Sequence, residues 1–149
     1  MFGSAFFEGK QHNIGQHLLD FSEHLRYVAP MEYPSHWDCM SFGLADPNLH
    51  PYEVYKFSIA GGISQLKKVG KTMILRPWIQ AFHIRNIYYN NPESPCVKKG
   101  IATATINYGR HMFREQIRAL QEFPEYAGWM AWNPNGAYPK ELFEPKKRP

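Results

Sequence analysis

"TMILRPWIQAF", Thr72 to Phe82, decides how this chain folds. It opens on β-branched and apolar residues, then sets Arg76, Trp78 and Gln80 at alternate positions. A strand turns successive side chains to opposite faces, so these three share one face. The stretch stands between two helical segments. Upstream, Pro51 starts a helix that runs to about Val69, and Gly70 stops it. Downstream, after an irregular segment from His83 to about Asn107, a helix is predicted from about Arg110 to Phe123, with Phe113, Ile117 and Leu120 as its apolar stripe. Further out, "RYVAPMEY" (26–33) reads as a short strand. The helix in "NIGQHLLDFSEHL" precedes it, with Asn13 as N-cap and Leu18, Phe21 or Ser22, and Leu25 at helical spacing. "AGWMAWNP" (127–134) reads as a third strand, closed by the turn Asn133-Pro134-Asn135-Gly136. Helix and strand therefore alternate three times, the pattern of parallel strands joined by crossover helices. Each strand ends in polar or aromatic residues, and in βα folds the loops after the strand C-termini form the ligand-binding face.

The chain has 149 residues, enough for one domain. Its 4 Trp, 9 Tyr and 10 Phe fit either a packed core or rings at loop edges that stack on the C–H faces of sugars. The formal net charge of +4 comes largely from Lys67 to Lys71, from Lys98 and Lys99, and from the C-terminal "KKRP". These runs are short and scattered, without the basic stripe and interleaved aromatics of a nucleic-acid groove. Cys39 and Cys96 lie far apart, with no second ligand at metal spacing, and the sequence leaves a disulfide open. No apolar run approaches the ~20 residues of a membrane helix, and no signal peptide is visible at the start. The histidines His12, His17, His24, His50, His83 and His111 are dispersed and suggest no metal triad. "AGGIS" falls inside a predicted helix rather than in a phosphate loop, and no GxSxG elbow is present. Neither a cofactor nor a metal is expected.

Four blocks carry a resemblance: "IGQHLLDFSEHLRYVAPMEYPSHW" (14–37), "LRPWIQAF" (75–82), "REQIRAL" (114–120), and "GWMAWNP" (128–134) followed by "AY" (137–138). In order and spacing they resemble a bacterial family of putative glycosyl hydrolase domains, related to TIM-barrel glycoside hydrolases. The resemblance covers Phe2-Gly3 to about Tyr138. It implies an α/β fold, specifically a partial (β/α)8 TIM barrel: the C-terminal half, with parallel strands and crossover helices, over residues 1–140, then a basic tail over 141–149. A full barrel takes ~250 residues. A truncated or split gene, or a fragment of a longer protein, is therefore expected. Half a barrel has open edge strands. The expected partners are accordingly a carbohydrate and either a second copy or an N-terminal half, with no nucleic acid and no membrane insertion. The resemblance implies work outside the cytoplasm.

Most glycosidases use two carboxylates, about 5–5.5 Å apart for retention or 6.5–9.5 Å for inversion, one with a raised pKa. Glu32 is the best-placed catalytic candidate, near the end of the first strand. Alternation leaves its direction open, and if it faces the helices it is a surface or salt-bridged residue. Asp38 and Asp46, in the next loop, either act or cap turns. Where the family tends to carry an acidic residue after the Arg-Pro-Trp-x-Gln block, this chain has Ala81. Substrate-binding candidates are Tyr33, Ser35 and His36 after the first strand, Arg76, Trp78 and Gln80 on the second, and Trp132 and Asn133 at the third. For each, the competing role is packing, ion pairing or turn capping. The chain is expected to form part of a glycoside hydrolase acting on a polysaccharide or cell-envelope glycan. The alternative is a non-catalytic carbohydrate-binding fragment that needs a partner half.

Overall fold

The computed structural model describes residues 1–8, 14–85, 98, 100 and 105–144. In chain order the elements are α1 (Gly3–Glu8), α2 (Leu18–His24), β1 (Tyr27–Val28), α3 (Pro51–Lys68), β2 (Ile74–Leu75), β3 (Trp78–Gln80), β4 (Ile84–Arg85), β5 (Thr105–Ile106), α4 (Arg110–Leu120), β6 (Met130–Trp132) and α5 (Lys140–Phe143). Single 3-10 turns at Pro34–His36, Ser41–Gly43 and Pro47–Leu49 fill the loop after β1. The result is a mixed α/β fold with short, mainly parallel sheets.

The parallel strands form two pairs. β1 runs parallel to β2, with Tyr27 opposite Ile74, and β3 runs parallel to β6, with Gln80 opposite Trp132. Parallel bridges from Phe2 to Met31, from Met31 to Trp78 and from Leu75 to Tyr126 link these pairs. The strands are short because prolines interrupt them. Pro30 and Pro77 have no N–H to give to a ladder. Their carbonyls still accept, from Trp78 N at 2.9 Å and Met130 N at 3.0 Å, so the parallel path continues through both breaks.

The helices pack on one face. Val28, Leu75, Ile79 and Ala81 join Phe6, Leu18, Tyr55, Ile59, Ile63, Leu66, Phe113, Ile117 and Leu120 in one buried cluster. The opposite sheet face carries Tyr27, 56% exposed, and Trp132, 45% exposed, with Arg76 also exposed. No helix covers it among the described residues. The close fit of α1 on α3 explains the paired glycines of "AGGIS". A Cβ at Gly61 would stand 2.2 Å from the Phe7 ring, and one at Gly62 would stand 2.0 Å from the Phe6 ring. α3 stops where Gly70 takes φ +66, with Lys71 N donating to Leu66 O at 3.0 Å.

Side chains occupy both outer edges of the parallel strands. The Phe2 N–H donates to Gln16 Oε1 at 2.7 Å. At β6, the Tyr138 hydroxyl accepts from Asn133 N at 3.2 Å and donates to Ala131 O at 3.4 Å.

Several expectations shift. The helix expected from Asn13 begins at Leu18, and Asn13 lies outside the described residues. The segment expected to be irregular contains β4 antiparallel to β5. The boundary expected at residue 140 falls at the start of α5, whose Leu142 is buried in the main core. Cys39 is disulfide-bonded, and Cys96 lies outside the described residues.

Candidate functional site

The three strand ends come together. After β1 the chain turns at Pro34–His36, with Pro34 setting the first position of the turn. There Ser35 N and Ser35 Oγ both donate to Gln80 Oε1, at 3.3 and 3.0 Å. Gln80 Nε2 donates onward to Phe82 O at 3.2 Å. Ser35 and Gln80 thus bind each other and tie the end of β3 to the first loop. The Gln80 backbone is held separately. Gln116 of α4 accepts from Gln80 N at 2.8 Å and donates to Gln80 O at 3.0 Å, which replaces the neighbouring strand where β1 has turned away.

Tyr33 is buried, edge-on to His36 at 4.9 Å and to Phe82 at 5.8 Å. Burial, with a smaller contribution from Tyr138, pushes its hydroxyl well above the usual range, so it remains a neutral donor. His36 is exposed at one edge, and its ring lies 6.0 Å from that of Phe2. Asn133 closes the turn after β6. Its Nδ2 donates to Ala81 O and Ala137 O, both at 2.8 Å, and its Oδ1 accepts from Asn135 N at 2.9 Å.

Arg76, Trp78 and Gln80 divide. Arg76 and Trp78 lie on the helix-free face, where Trp78 meets Trp132 edge-to-face at 6.1 Å and 86°. Gln80 is fully buried at the strand end. The structure therefore gathers the residues into two groups. One is a rim in which Ser35 bonds Gln80 and Asn133 bonds Ala81 O, with Tyr33 packed edge-on to Phe82. The other is an aromatic face of Trp78 and Trp132 with Arg76.

This arrangement sits in a chain whose residues 1–138 match the family model described as "Putative glycosyl hydrolase domain". The chain belongs to that family. No curated protein and no solved structure matches it. Membership supports a general glycoside-hydrolase-like role for the domain.

Catalysis in a glycosyl hydrolase domain usually falls to carboxylates, so their placement matters. Val28, Pro30 and Glu32 take the helix face of the first strand. Glu32 is neither at the surface nor in a salt bridge among the described residues. It is fully buried, and a Cβ added to Gly3 of α1 would stand 2.3 Å from its Oε2. The Ser58 hydroxyl of α3 lies beside it, yet that hydroxyl's own hydrogen bond runs to Tyr55 O at 3.5 Å. Neither carboxyl oxygen has a well-formed hydrogen bond among the described residues. Burial pushes the group up to about 8, against smaller opposing effects of Ser58 and the α-amino group. Asp46 caps the Pro47–Leu49 turn, accepting from Asn48 N at 3.0 Å, and Asp38 is exposed in its loop.

Beyond Ala81 and Asn133 opens a cleft of about 490 Å³, also lined by His83, Asn107, Arg110 and Glu141. The sequence reading passed over His83 as one of the dispersed histidines and Glu141 as tail. His83 follows the end of β3 by three residues, but its partner Tyr108 is 25 residues away and Glu141 is further still, so no local pattern brings them together. The described residues contain no group of three or more His, Cys, Asp or Glu placed to hold a metal, and no helix long and apolar enough to cross a membrane.

Proposed function

We propose that the chain is the C-terminal half of a (β/α)8 barrel of glycoside-hydrolase type. Its strand C-termini bind a polysaccharide or cell-envelope glycan. The observation that carries this reading is the Trp78–Trp132 pair on the helix-free face, where Arg76 is also exposed. Flat rings stack on the C–H patch of a pyranose, and a guanidinium donates to its hydroxyls. Sequential parallel strands with helices on one side are what consecutive units of a barrel look like before closure. In that reading Tyr33, His36 and Asn133 stand at the strand ends, with Ser35 and Gln80 fixing the first two ends relative to each other. A disulfide at Cys39 fits work outside the reducing cytosol.

Affinity electrophoresis in gels containing soluble xylan, β-glucan or chitosan, with pull-down on peptidoglycan, tests the reading. Retardation by one of these is expected, with Trp132→Ala weakening it at least tenfold. No binding to any of the four overturns it, and unchanged binding by Trp132→Ala takes the glycan off the tryptophan pair.

The second reading, glycan binding without hydrolysis by this chain, is favoured by the burial of Glu32 on the helix face. The two readings separate on Glu32→Gln. Loss of reducing-end release with binding retained makes Glu32 the catalytic acid. Unchanged release, or none from either protein, leaves it structural.

A further inference from the structure

The cleft past Ala81 and Asn133 has a chemistry of its own. At about 490 Å³ it falls within the range of small-ligand sites, roughly 300–1,000 Å³. Asn133, the residue after Trp132, stands in its lining.

Two of its side chains are complementary. His83 Nδ1 accepts a hydrogen bond from Tyr108 N at 3.1 Å. An imidazole that accepts at Nδ1 is neutral and carries its proton on Nε2, so its second nitrogen is a donor. The partner that fixes this tautomer is itself rigid. Tyr108 is 1% exposed, and its hydroxyl donates to Asn48 O at 2.7 Å. The other side chain is Glu141, an exposed acceptor in α5, next to the buried Leu142. Arg110, also in the lining, donates to Glu144 O at 3.1 Å.

We propose that this cleft is a sugar subsite that takes a vicinal diol between His83 and Glu141. It rests on the glycan-binding reading. One hydroxyl accepts from His83 Nε2–H while its neighbour donates to the Glu141 carboxylate. Charge-assisted bonds of the second kind are the stronger. A metal would need Nε2 stripped of its proton, against the tautomer that Tyr108 sets.

Isothermal titration calorimetry with cello- and xylo-oligosaccharides of two to six sugars, whose internal units each carry a 2,3-diol, tests the proposal. His83→Ala and Glu141→Gln are each expected to weaken the longest oligosaccharide at least tenfold. They should leave the shortest binding oligosaccharide, held at Trp132, within twofold. Equal loss at every length, or no loss at any, overturns the subsite. If Trp132→Ala binds normally while the two cleft variants do not, the aromatic platform fails and the subsite stands. If no oligosaccharide binds the unmodified chain, both fail. Long-range ¹H–¹⁵N correlation on the imidazole provides a check that needs no ligand. A proton on Nε2 of His83 is expected, and one on Nδ1 overturns the arrangement.

Discussion

Glu32 lies between Gly3 and Ser58 with both carboxyl oxygens lacking a well-formed hydrogen bond among the described residues. An ionised carboxylate there would be costly, so the group keeps its proton at neutral pH and its folded value rises to about 8. In the unfolded chain a Glu ionises near 4.3. The folded form therefore binds the extra proton between the two values. Its stability is greatest below the lower one and falls as pH rises through the upper one. The loss should be on the order of 3 kcal/mol by pH 7. Glu32→Gln keeps the shape without the charge. Urea unfolding at pH 5, 7 and 8.5 is expected to show a variant nearly level across the series and more stable than the parent at the upper end. A parallel decline in both proteins would assign the pH dependence to other groups. The sequence placed Glu32 near a strand end but could not give its direction, because Gly3 and Ser58 lie 29 and 26 positions away. The Ser35–Gln80 and Asn133–Ala81 bonds span 45 and 52 residues, so the rim was legible as residue types and illegible as partners.

At the scale of elements, legibility follows length and punctuation. α3, with Pro51 at its start and Gly70 at its end, stands within one residue of its sequence prediction, and the stripe of α4 marks that helix three residues too long. The six-residue α1 escapes notice. A helix that short is marginal alone and exists because its ring faces find α3. That contact predicts the effect of a methyl group. Gly62→Ala puts a Cβ 2.0 Å from the Phe6 ring, and overpacking of this kind costs about 1–3 kcal/mol. The midpoint of chemical unfolding is expected to fall, and to recover when Phe6→Leu is added. A wild-type midpoint in Gly62→Ala would mean that α1 does not dock as described. The strands are legible as segments but not as units, because local propensity does not show whether a proline's carbonyl will still find a ladder partner.

For the molecule as a whole, the sheet has one face sealed by helices and one bearing Trp132 and Tyr27, and the reading of the chain as half a barrel leads to an expectation of sticky edges. The edges are not bare. At β6 the Tyr138 hydroxyl engages Ala131 O and Asn133 N, two groups that a following parallel strand would use. Tyr138→Phe frees both and is expected to raise light scattering on incubation at high concentration, whereas Tyr138→Phe that stays clear would show that the edge needs no guard. The same hydroxyl shapes the kinetics of any completion of the sheet. An incoming strand can take its place beside β6 only after Tyr138 has let go, so addition is an exchange rather than a docking. Its observed rate should climb with partner concentration and then level off at the rate at which the tyrosine departs.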